Sequence, residues 1–246
     1  MTTAERAIAI AAITISSCVF GACRSPAPTP AQLESMQTVS DAYYAYDKGD
    51  CRTVLRMTDP AALEAWDYSE MRYAMVLLNG FCHEIAGDRE QARSIYQELV
   101  GIAPRSFSAQ DAEERLAILQ VEDEDPEHAR WIHEARERAD PTGASRIPID
   151  RVPAQYPPLA RTTGVEGYAV VEFGVSRSGE TEEPLIVESS PPYLFDGSAL
   201  RAVREWQFAR KPNADPTHRQ LIRIVFKRGE SADSASEPAA PDTTAP

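Results

Sequence analysis

The residues with chemistry to offer are few and scattered. The chain carries four histidines, His83, His128, His133 and His218, and four cysteines, Cys18, Cys23, Cys51 and Cys82. His128 and His133 are five apart, so they do not share a helix face as ligands four apart would. His83 adjoins Cys82, but no further Cys or His gathers around them, so no metal centre is predicted. A serine nucleophile needs a sharp Gly-x-Ser-x-Gly elbow, whereas Arg177-Ser178-Gly179 reads as a hairpin turn. No glycine-rich loop is built to cradle phosphate. The acidic run Glu122-Asp123-Glu124-Asp125 reads as a solvated linker before a helix rather than a calcium loop. Trp206 and Phe208 read most simply as core. These residues predict no enzyme and no cofactor.

Cys51 and Cys82 are a different matter, because they remain inside the folded region after any processing at the N-terminus. In an exported protein such a pair is usually a disulfide. Two buried free thiols are the other reading. Export itself is signalled by Ala7 to Phe20, an apolar run broken by Thr14, Ser16, Ser17 and Cys18. It is shorter than the ~20 residues of a comfortable span and suits a secretory segment. Phe20-Gly21-Ala22-Cys23 resembles a bacterial lipobox, which implies removal of residues 1–22 and a lipid on Cys23. Ile15-Ser16-Ser17-Cys18 is a second candidate of that kind. Ordinary cleavage near Ala22 and a retained anchor are the alternatives.

Composition divides the remainder. The 246 residues are 43% hydrophobic with a net charge of −13, as expected of one or two globular domains. Residues 24–145 hold 12 basic and 23 acidic side chains, and residues 146–229 hold 12 and 10. An acidic surface is repelled by phosphate, so nucleic acid is not a predicted partner. The expected organisation is a signal at 1–22, a proline-rich tether at 23–30, a helical domain at 31–140, a mixed domain at 146–229 and a disordered acidic tail at 230–246.

The middle carries helical patterns. Arg72 to Ala86 and Arg89 to Gly101 read as helices separated by Gly87-Asp88, and Gln110 to Gln120 and Pro126 to Ala139 as two more. Gly80, Gly87, Ala92, Tyr96 and Pro104 stand at the spacings of a tetratricopeptide repeat, which this region resembles. A worn earlier copy aligns on Ala42, Gly49-Asp50 and Val54. A generic helical bundle is the other reading.

The last third changes period. Ala169, Val171, Phe173 and Val175 alternate with Tyr168, Val170 and Glu172, which marks a strand with one buried face. Ser176 to Gly179 supplies a turn, and Leu185 to Val187 begins a return strand. Ala199, Leu200, Val203 and Trp206 recur at helical spacing, and Arg219 to Lys227 alternates again. Strand, strand, helix, strand predicts an α+β domain: a three-stranded antiparallel sheet with one helix packed across it.

This segment resembles the C-terminal domain of the TonB family. The likeness is carried by Gln155-Tyr156-Pro157, Gly164 to Gly167, Val171, Phe173, Gly179, Ser189-Ser190, Phe195-Asp196, Ala199, Val203, Trp206 and Phe208. The resemblance implies that the last strand is a sheet edge accepting an extended peptide from an outer-membrane transporter. It assigns partner binding to Gln155, Tyr156, Pro157, Arg219, Ile222, Arg223, Ile224 and Phe226. A packed turn is the competing reading of Tyr156-Pro157. Energy transducers of that family carry a transmembrane helix with a His and a long proline-rich spacer. Here no His precedes His83, and a helical domain stands in the spacer's place. The expected protein is therefore a lipid-anchored envelope protein binding a peptide or protein partner. A divergent energy transducer and a structural protein dimerising through this domain are the alternatives.

Overall fold

The computed structural model describes residues 28–63, 66, 69–124, 127, 147–211 and 219–228. The signal, Cys23, His128, His133, His218 and the tail at 230–246 lie outside the described residues. So does the helix expected at Pro126 to Ala139, apart from Glu127. No helix among the described residues is long and apolar enough to cross a membrane.

Six helices open the described chain: α1 (Pro30–Asp47), α2 (Cys51–Met57), α3 (Pro60–Leu63), α4 (Glu70–Ile85), α5 (Arg89–Ile102) and α6 (Phe107–Glu124). A capping box starts α1, with the Thr29 and Gln32 side chains answering each other's backbone N–H groups. The two Gly-Asp pairs now have a physical account. Gly49 and Gly87 take φ of +71° and +82°, conformations that stop a helix at little steric cost. Asp50 and Asp88 then cap α2 and α5 by accepting from the N–H groups of Thr53 and Gln91. Gly80 lets α4 and α5 close, because a Cβ there would run into the Tyr96 ring. Cys51 and Cys82 are joined by a disulfide that links the start of α2 to the end of α4.

The second half contains β1 (Pro148–Asp150), α7 (Pro158–Thr163), β2 (Gly167–Val175), β3 (Thr181–Ser190), α8 (Asp196–Arg204), β4 (Gln207–Phe208) and β5 (Arg219–Phe226). The main sheet has the order β3-β2-β5, antiparallel throughout, and β1 pairs with β4 in a two-stranded sheet. The fold is α+β. Ala169, Val171, Phe173 and Val175 turn one face of β2 into the main core. Val170 meets Leu185 and Val187 on the other face. Trp206, just past α8, is 1% exposed, crosses Phe173 edge-on and donates its indole N–H to the Val152 carbonyl at 2.8 Å. The β1–β4 pairing and the short helix α7 carry no periodicity that a sequence reading could register.

The two halves share one core, and their seam is charged. Arg115 of α6 is buried between Glu84 of α4, whose Oε2 accepts from its Nε at 3.2 Å, and Asp196 of α8, at 3.6 Å. Its guanidinium also lies 4.1 Å from the ring centre of Tyr193. Tyr96 donates to the same Glu84 carboxylate at 2.8 Å, and Tyr46 of α1 donates to the Pro192 carbonyl at 2.6 Å. Outward from this centre, Arg201 of α8 pairs with Asp111 of α6 at 2.8 Å, and Arg204 pairs with Glu114.

Two outcomes follow from this packing. Trp206→Ala should cost ~3–5 kcal/mol, the usual loss for truncating a buried tryptophan, and a thermal melt should fall by many degrees. A shift of only a degree or two would show that Trp206 is not core. Asp111 gives a pH dependence. Burial pushes its carboxyl up from 3.8 to about 7, against the opposing pull of Arg201. The unfolded chain releases this proton near pH 4 and the folded chain near pH 7, so the folded state binds more protons between them. Its contribution is therefore complete below about pH 4 and is lost as pH rises to about 7, by a few kcal/mol. Asp111→Asn should flatten the fall in melting temperature across that window, and an unchanged profile would refute the assignment.

Candidate partner-binding edge

The free edges of the main sheet belong to β3 and β5, and they differ. β5 pairs with β2 without interruption, from Gly167 opposite Phe226 to Gly174 opposite Arg219. β3 pairs with β2 through two register shifts, contains Pro184, and holds Glu183 at a φ of +46°. Bulges and proline blunt an edge, because they bend the strand and remove donors. Among the described residues, no strand pairs with the outer side of β5. That side therefore presents a straight row of backbone groups.

The side chains of β5 correct part of the sequence reading. Ile224 and Phe226, expected to present an apolar face to a partner, are 1% and 0% exposed. Phe226 stacks on Phe195 at 4.4 Å between ring centres, and Ile222 packs partly buried against the same core. A domain with one helix over three strands needs this face for its own interior. What β5 can offer a partner is its backbone and the opposite face. Arg219 is not free either: it pairs with Glu172 at 2.9 Å and donates to the Glu183 carbonyl at 2.7 Å, tying all three strands together. Arg223 lies over the Tyr168 ring at 4.4 Å, and Tyr168 donates to Glu188 of β3. Neither Arg223 nor the exposed Lys227 has a carboxylate partner among the described residues. From Arg219 to Arg228 the segment carries four basic side chains and no acidic one, in a chain whose net charge is −13.

The Gln-Tyr-Pro turn stands at one end of this edge. Tyr156 sets its ring edge-on to Phe195 and to Phe226, 5.8 and 5.5 Å between centres, and donates its hydroxyl to the Val165 carbonyl at 2.6 Å. Burial pushes its phenol up to about 12. Pro157 is buried and Gln155 is exposed. Tyr156-Pro157 is thus a packed turn that orders the entry to the sheet, and Gln155 is the member of the motif that faces solvent. No group of three or more metal-binding side chains gathers among the described residues. The charged seam escaped the sequence reading: Glu84, Arg115 and Asp196 come from three separate helices, and only the match at Phe195-Asp196 hinted at one of them.

Residues 152–227 match the family described as the Gram-negative bacterial TonB protein C-terminal. Among curated relatives, the TonB protein of Salmonella typhimurium is 29% identical over 93 residues, covering 37% of this chain and 36% of its own length. That of Pseudomonas aeruginosa is 31% identical over 80 residues, covering 32% of this chain and 23% of its own length. The chain thus spans about a quarter to a third of the length of these relatives. Among solved structures, the solution structure of the Pseudomonas aeruginosa TonB C-terminal domain is 24% identical. It covers 36% of this chain and 92% of its own, with a TM-score of 0.32.

Proposed function

We propose that this is a non-enzymatic protein of the bacterial cell envelope whose TonB-like segment accepts an extended peptide along the outer side of β5. The observation that carries the reading is the contrast between the two edges, since β5 is regular over eight residues and β3 is broken. Main-chain hydrogen bonds along such an edge supply affinity, and side chains on alternate positions supply selectivity. Arg223 lies on the face of β5 that turns away from the core and Lys227 is exposed one residue past the strand, so the reading favours a peptide with carboxylates near them. The likeness of residues 152–227 to TonB C-terminal domains makes the N-terminal segment of an outer-membrane transporter the preferred partner. The helical region, tetratricopeptide-like in its spacing, is proposed as a domain that stands where a spacer would be. Cys23 is proposed as a lipid-bearing N-terminus that holds the chain to a membrane.

Affinity should be micromolar or weaker, because one added strand buries little area. Reversing both charges, Arg223→Glu with Lys227→Glu, should weaken an acidic transporter-segment peptide roughly 5- to 30-fold, on the scale of two exposed ion pairs lost and repelled. Raising the salt should weaken binding to the original chain and strengthen it to the variant. Titration calorimetry showing equal affinity for both would remove β5 as the site. The anchor is checked separately: intact-mass measurement should find residues 1–22 absent and Cys23 acylated, and a retained Met1 would favour an energy transducer with an uncleaved anchor.

A further inference from the structure

We infer that the helical region guards the second edge of the sheet, making the chain a monomer with a single strand-pairing edge. The use of the remaining edge rests on the peptide-acceptor reading above, while the guarding of β3 stands on its own geometry.

From Pro184 to Ser189 the outer side of β3 borders a cleft, while Glu182 and Glu183 before it are exposed. Pro184, Leu185 and Glu188 form one wall of this cleft, and Arg89, Ile118 and Val121 of α5 and α6 form the other. The volume between them is about 450 Å3. A partner strand of the ordinary length, about five or six residues, would have to enter between these two walls. Widening the cleft means moving α6, which is held by the buried Glu84–Arg115–Asp196 cluster and by the Arg201–Asp111 and Arg204–Glu114 pairs. The strand adds its own obstacles. Pro184 lacks a donor, and Glu182, Glu183 and Glu188 would face like charges on a second copy of β3.

Thiol cross-linking on the full chain tests this, with Cys18 and Cys23 replaced by serine so that the introduced cysteine is the free thiol beside the Cys51–Cys82 bridge. Glu188→Cys on β3 should give no interchain disulfide under mild oxidation, and sedimentation should report a monomer. With the outer pairs reversed by Arg201→Glu and Arg204→Glu, the Glu188→Cys cross-link should rise roughly tenfold or more, as the lost ion pairs favour seam opening. Circular dichroism must show that variant folded, and Arg204→Glu alone, a milder change at an exposed pair, serves if it is not. A β3 cross-link with the seam intact would overturn the inference, as would a folded, opened variant with no gain. A Val225→Cys cross-link between two unaltered seams would overturn both this inference and the peptide reading, because β5 would then be the dimer edge. If a transporter-segment peptide fails to protect Val225→Cys from labelling while β3 behaves as stated, the peptide reading falls and the guard stands.

Discussion

Arg115 is withdrawn from water between two carboxylates, one contributed by each half of the chain, and the architecture follows from keeping all three together. Moving an ion into a protein interior costs several kcal/mol, and the cost is offset only when partners and hydrogen bonds are complete. Glu84 receives both Arg115 and the Tyr96 hydroxyl, and Asp196 closes the other side from the first turn of α8. If α8 moved away, Arg115 and Glu84 would face each other beside an opened cavity, and Asp196 would lose its cation. The helical and sheet portions are thus bound by a condition on charge as well as by shared apolar surface. That condition explains why acidic residues of the helices and arginines of α8 keep meeting outward from the centre, at Asp111 with Arg201 and Glu114 with Arg204.

The same packing separates what the amino-acid sequence discloses from what it conceals. Ala169, Val171, Phe173 and Val175 are legible as one face because a strand has period two, and Ala199, Leu200 and Val203 because a helix has period 3.6. Gly49-Asp50 and Gly87-Asp88 are legible as punctuation, since each pair ends one helix and caps the next. Alternation along β5 reveals two faces but not which one the helix covers, so Ile224 and Phe226 looked available when they are core. Arg115 and Glu84 look like ordinary charges on helices, and no local pattern distinguishes a solvated arginine from one enclosed by residues far along the chain. The candidate edge was visible as a strand. Its regularity against the breaks in β3 was not, because register shifts belong to pairs of strands rather than to either alone.

One further consequence comes from the hydrogen bond between Tyr46 and the Pro192 carbonyl, which ties residues 146 positions apart. It fixes the first helix to the turn that follows β3, and Phe81, packed between Tyr46 and Tyr193, stiffens the join. A flexible spacer would let a binding edge wander independently of the point where the chain is held. Here the offset from Pro30 to β5 is set by packed side chains. A displacement applied at Pro30 is therefore carried to β5 through packed side chains, as the movement of a single body.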